Sequence, residues 1–175
     1  MSAIHVCSLA RLPETAIESK AKSLLTLLSP GGVVAERPPS IAADRHLVIN
    51  VSDIVTPTEG HTHPQAGHIA DLLAFFAAWD RVDPLLIHCY AGVSRSTAAA
   101  YIAVCALAPD RDESEVARSL RAASPSATPN ASLVALADAA LGRAGRMSAA
   151  ITAIGRGEDC FEGAPFRLDL DAPTA

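Results

Sequence analysis

The chain has 175 residues, half of them hydrophobic (50%), with a formal net charge of −5 and a pI near 5.6. That length suits one α/β domain, residues 1–175, with a real core; the acidic balance without a basic stripe speaks against nucleic acid and against anionic membrane lipid as partners. No segment approaches the roughly 20 apolar residues of a membrane span, and Met1-Ser2-Ala3-Ile4-His5 lacks the basic-then-apolar pattern of a signal peptide. Cys7, Cys89, Cys105 and Cys160 lack zinc-type or disulfide-framework spacing, which fits a reducing, cytoplasmic setting.

Ile4–Leu9 reads as a first strand, and Pro13–Lys22 as a helix with Pro13 and Glu14 near its start. Ser23–Leu28 is a short apolar run ended by Ser29-Pro30-Gly31-Gly32. It reads as a strand and turn, with a helix continuing through Leu28 as the competing assignment. After the loop Arg37–Ser40, His46–Val51 is a buried strand with Ser52-Asp53 at or just past its C-terminal end. Thr56–Pro64 is a polar loop, and Gln65–Trp79 an amphipathic helix with Ile69, Leu72, Leu73 and Phe76 on one face. Pro84–His88 is a further buried strand. Helices follow at Ser96–Leu107, Glu113–Ala123 and Asn130–Gly142, with one more at Arg146–Gly155. Glu158–Ala175, of mixed polar and proline content, reads as a tail packed loosely on the surface, so the core is placed at about 4–145 and residues 146–175 form a C-terminal helix and tail. Strands alternating with helices predict an α/β fold with a central, mostly parallel sheet of four to five strands flanked by helices. Ligands of such sheets bind at the carboxyl ends of strands, and Asp53 and Cys89 both fall at such ends.

The most informative stretch is His88-Cys89-Tyr90-Ala91-Gly92-Val93-Ser94-Arg95-Ser96, in which five residues separate the cysteine from the arginine. It joins a strand to a helix, so the loop feeds a helix N-terminus, where backbone N–H groups and the dipole favour an anion. A cysteine there is expected to exist largely as thiolate, the reactive form. Arg95 can return over the loop and offer its planar fork to phosphate. Together they describe a phosphate pocket with a nucleophile at its base.

His-Cys-x-x-Gly-x-Ser-Arg-Ser resembles the signature loop of cysteine-dependent protein tyrosine phosphatases, most of all the dual-specificity branch. The resemblance implies a Cys89 thiolate that attacks phosphorus and forms a phosphocysteine intermediate. It implies that the amides of Tyr90, Ala91, Gly92, Val93, Ser94 and Arg95 hold the phosphoryl oxygens, with Arg95 also stabilising the transition state. Gly92 suits the tight curl of such a loop. Ser96 resembles the family's hydroxyl that helps the thiolate leave. His88 resembles the histidine that fixes the loop and poises the thiol, and a plain role as a buried side chain satisfying loop carbonyls is compatible with that. In this family an aspartate on a separate loop is the general acid and base. Asp53 is the candidate, since it follows a strand and precedes a polar loop upstream of Cys89. Turn anchoring is its simpler role, and Asp44 and Glu59 are the alternatives, although Asp44 precedes the strand. Asp71 and Asp80 read as solvated.

Pro129-Asn130 resembles a pair that begins a late helix in this family; Asn130 reads as an N-cap, and the resemblance adds a supporting hydrogen bond to the catalytic loop. His61, His63 and His68 raise a metal question, but a polar or gating loop is the default, and neither a metal nor another cofactor is expected. Cys7 and Cys105 read as core cysteines, with either open as a disulfide partner of Cys89 under oxidation. The specific resemblance spans Asp53 to about Asn130. The loop lacks the extra lysines of phosphoinositide-selective relatives, which tilts the expected substrate towards phosphoproteins carrying phosphotyrosine, phosphoserine or phosphothreonine. Small phosphate esters, nucleotides, RNA ends or inositol phosphates are the alternative substrates. A catalytically quiet phosphate-binding module is the alternative function.

Overall fold

The apolar runs join into one sheet whose inner strands are buried on both faces, whereas the strand expected to be buried at His46–Val51 lies at the sheet edge with Val48 exposed. The computed structural model describes residues 3–171. In chain order it contains β1 (Ala3–Ser8), α1 (Leu12–Ser19), β2 (Ser23–Leu28), β3 (His46–Asn50), α2 (Ala66–Ala78), β4 (Leu85–Cys89), α3 (Arg95–Leu107), α4 (Glu113–Ala123), α5 (Ala131–Ala140), α6 (Arg146–Ile154) and β5 (Phe166–Asp169). The strand order is β3-β2-β4-β1-β5. The first four strands are parallel, and β5 runs antiparallel to β1.

Every residue of β2 is buried, so its sequence shows no alternation. Leu25 and Leu27 pack into the large core with α3, whereas Leu24 joins a smaller core with Leu12, Ala16, Ile41 and Leu86 beneath α1. The competing helix through Leu28 does not form, since α1 stops at Ser19 and Lys20 caps it in the left-handed region at φ +57°. Helix α3 is the central one: every residue from Arg95 to Cys105 is buried. Its run of alanines lets the sheet, α4 and α5 approach closely, a packing reason beyond helix propensity.

The C-terminal region corrects the expectation of a loose tail after a core ending near residue 145. Phe166–Asp169 pairs with β1, Leu168 and Leu170 are buried, and the sheet gains its edge strand. Four residues carry too little alternation to be read as a strand, while the open edge of β1 leaves backbone groups for a partner. The last four residues of that expected tail, 172–175, lie outside the described residues. Among the described residues no helix is long and apolar enough to cross a membrane.

Because β1 to β4 are parallel, the loops that follow them all leave at one rim of the sheet. The antiparallel β5 begins there, so the segment leading into it joins the same rim.

Candidate active site

Strand β4 alternates Leu85, Ile87 and Cys89 towards the α3 core with Leu86 towards the α1 core. Cys89 ends the strand almost fully buried. Its Sγ lies 3.1 Å from the Ser96 hydroxyl and accepts the Gly92 N–H at 3.3 Å. Gly92 is required twice over. Its φ is +72°, and a Cβ there would meet the Ser8 nitrogen at 2.8 Å and the Cys7 carbonyl carbon at 2.9 Å.

The loop is turned with its carbonyls outwards. Tyr90 O accepts from the Leu9 N–H, Ala91 O from Gly163, Val93 O from Thr128, and Ser94 O from Asn130. Thr97 Oγ1 donates to both Val93 O and Ser94 O. None of those bonds uses an N–H of Tyr90, Ala91, Val93 or Ser94, and α3 begins at the next residue. The result is a nest of amides at a helix N-terminus, an arrangement suited to an anion.

Arg95 is 6% exposed. Its Nη1 donates to the Val51 carbonyl at 2.9 Å and to the Ser29 hydroxyl at 3.1 Å. Its Nε is buried without a protein hydrogen-bond partner. The guanidinium is thus held by one nitrogen, and the edge formed by Nε and Nη2 has the geometry for a bidentate contact with an oxyanion.

Asp53 follows the end of β3, where Ser52 N–H donates to Thr62 O and Thr62 N–H to Ser52 Oγ. The Asp53 Oδ1 accepts from Ser94 Oγ at 2.6 Å and from Asn130 Nδ2 at 2.9 Å. Asn130 caps α5 by accepting the Ser132 and Leu133 N–H groups, and its Nδ2 also donates to Ile54 O. One asparagine therefore ties the Asp53 loop, the signature loop and a helix start together. Glu59 stands exposed in a turn of the same loop, and Asp44 sits in the short turn entering β3, at the strand end away from Cys89. Asp71 is exposed on α2, and Asp80 pairs with Arg45.

His88 is fully buried with Nε2 2.8 Å from Thr26 Oγ1, and that hydroxyl is also 2.9 Å from His46 Nε2. Burial pushes the His88 imidazole down to about 4, with His46 and Arg95 adding in the same direction and the Cys89 backbone opposing. It is neutral at physiological pH and braces β4 to β2 beneath the nucleophile. Of the three histidines raised as metal candidates, His61 is exposed in the polar loop, while His63 and His68 have structural partners. His63 Nε2 is 3.3 Å from both Val55 O and Ser132 Oγ, and His68 Nδ1 accepts the Gln65 N–H in the capping box of α2. Among the described residues no group of three metal-ligating side chains forms.

Cys7 and Cys105 are core cysteines, and burial raises each thiol to about 12. Cys7 packs in the α1 core, on the other face of the sheet from Cys89. Cys105 is ten residues along α3 from Arg95, about 15 Å at helical rise. Neither position suits a disulfide with Cys89, whose Cα partner must lie within roughly 7 Å on converging Cβ vectors.

Sequence reasoning missed three supports: Ser29 under Arg95, the Thr26–His46 pair behind His88, and the C-terminal segment against the loop. Ser29 had only its place in a turn to mark it. Glu162 accepts from Ser8 Oγ at 2.6 Å, and the Gly163 N–H donates to Ala91 O at 2.9 Å.

No family model matches the chain, and no curated protein matches it in sequence. Solved structures do match. The PTP-2 phosphatase of Cydia pomonella superposes with a TM-score of 0.60 at 17% identity, covering 78% of this chain and 84% of that one. DUSP15 gives 0.60 at 18% identity, covering 91% and 96%. Human DUSP28 gives 0.58 at 20% identity, covering 80% and 94%. The chain has the fold of these dual-specificity-type cysteine phosphatases.

Proposed function

We propose that this chain is a phosphate monoester hydrolase that dephosphorylates phosphotyrosine, phosphoserine or phosphothreonine in proteins through a phosphocysteine on Cys89. The observation that carries the reading is the bond between Asp53 and Ser94. It ties a carboxyl group directly to the loop that bears the nucleophile, which a phosphate-binding module has no need of.

In the first step the Cys89 thiolate attacks phosphorus in line with the leaving oxygen. The S–P bond forms, the P–O bond breaks, and the leaving oxygen takes the proton of Asp53. Asp53 Oδ1 already accepts two hydrogen bonds, so Oδ2 is the oxygen that carries that proton. The amide nest and the Nε–Nη2 edge of Arg95 hold the equatorial oxygens as charge spreads over them. In the second step water attacks phosphorus and gives a proton to Asp53. The S–P bond breaks, and the thiolate departs towards the Ser96 hydroxyl 3.1 Å away.

The test is release of phenolate from an aryl phosphate and of phosphate from phosphopeptides. Wild type should turn over both, and Cys89→Ser should lose turnover while still binding phosphopeptide. A Cys89→Ser variant as active as wild type contradicts the reading. A parallel panel of nucleotides, RNA ends and inositol phosphates decides the substrate class, and faster turnover there than on phosphopeptides replaces phosphoprotein with that class.

A further inference from the structure

We infer that a cleft beside the signature loop is a specificity subsite for an apolar side chain next to the phosphorylated residue of a peptide substrate, an inference that rests on the phosphoprotein reading above. The cleft has a volume of about 300 Å³ and is lined by Leu9, Val33, Tyr90, Ala91, Phe161 and Glu162. That is the lower end of the roughly 300–1,000 Å³ range of ligand clefts, so it takes side chains rather than a domain.

Three observations select the occupant. Tyr90 and Ala91 are the first two residues of the phosphate loop, so whatever enters the cleft arrives tethered to the phosphoryl group, about 3.8 Å per residue away along the substrate. Val33 is 58%, Tyr90 56% and Phe161 92% exposed, so three large apolar side chains converge on solvent at one place. Such convergence marks a binding surface more than scattered exposure does. Glu162 is the one charged residue named in the lining, which disfavours an acidic neighbour. On the Asp53 side of the loop the corresponding cleft mixes Ile54, Val55 and Pro129 with Asp53, Thr56 and Asn130. The stronger apolar preference therefore falls on the Phe161 side.

The wall is fixed rather than a free tail. The Gly163 N–H bonds Ala91 O, Glu162 accepts from Ser8, and the Gly157 N–H donates to Thr128 Oγ1 at 3.1 Å. A Cβ on Gly163 would lie 2.9 Å from Gly92 O, so glycine is what lets the segment lie against the loop. Phe161 lies in the chain between the anchors at Gly157 and at Glu162 and Gly163.

The test measures kcat/KM of the full chain on phosphopeptides carrying Leu, Ser or Asp on one side or the other of the phosphorylated residue. Leu should exceed Ser by about tenfold on one side, equivalent to about 1.4 kcal/mol, and by clearly less on the other, with Asp poorest. Phe161→Ala should reduce that ratio to about twofold, as expected for removing the main apolar contact. Val82→Ala, an exposed site outside the cleft, should keep it. Equal rates for all flanks, or an unchanged ratio in Phe161→Ala, overturns the subsite. Turnover of aryl phosphate without any phosphopeptide overturns the phosphoprotein reading and the subsite with it; no turnover of either overturns the hydrolase reading.

Discussion

Two loops meet over the sheet rim, and they are built in opposite ways. The signature loop sits between a buried strand and a buried helix, and its carbonyls at Tyr90, Ala91, Val93 and Ser94 are all bonded outwards. The Asp53 loop is exposed from Val55 to His61 and is held mainly at its ends by Ser52, Thr62, Asn130 and His63. On the proposed function, the contrast separates two tasks. A cradle for a transferring phosphoryl group must be fixed before the reaction, because its stabilisation depends on dipoles that do not reorganise. A proton donor must reach leaving groups of different shape, and a segment with few buried contacts can adjust.

The sharpest way to break the contrast is to damage the cradle. Arg95→Lys keeps the charge but removes the fork that bonds Val51 and Ser29 and, on the proposed function, phosphate. It should lower kcat/KM by about 10³, more than the acid-loop variants do, because a planar bidentate donor is replaced by a point charge. Steady-state kinetics on an aryl phosphate measure this, and a loss below tenfold means the fork is not used.

Acidification should loosen the cradle from beneath. His88 titrates at its ordinary 6.5 when unfolded and at about 4 when folded. Between those values the unfolded chain binds a proton that the native chain does not, so stability falls as pH drops through the window from 6.5 to 4. The full loss is about 3 kcal/mol. Urea midpoints from pH 7 to pH 4 should show the slope in wild type and a shallower one in His88→Asn.

The acid loop should yield smaller, substrate-dependent effects. Asp53→Asn should lose about 10² on alkyl phosphates, whose leaving oxygen needs a proton, and far less on activated aryl phosphates. Asn130→Ala removes one of the two bonds to Asp53 Oδ1 and should show the same leaving-group pattern at about tenfold. If Asp53→Asn behaves like wild type on both substrate types, Glu59 rather than Asp53 is the acid.

Much of this arrangement is legible in the residues, for physical reasons. Continuous apolar runs mark β2 and β4 because parallel strands are buried on both faces. Cys89, Arg95 and Ser96 are legible together because one turn and one helix start hold them within eight residues. Asp53 is legible because parallel topology sends the ends of β3 and β4 to the same rim. The supports are not, because they act through space between side chains with no shared motif. Ser29 meets Arg95 across 66 residues and Glu162 meets Ser8 across 154. The edge strand β5 is hidden for a different cause, since four residues are too few to show a period and pairing with β1 decides their structure.

The most direct test of the central claim is a rapid-quench experiment on the Ser96→Ala variant with a radiolabelled phosphate ester. If the thiolate departs with help from Ser96, this variant should slow in the second step and accumulate one phosphoryl group per chain on Cys89, released by iodine. Turnover with no label on Cys89 at any time would contradict the account, because it would place the hydrolysis outside this loop.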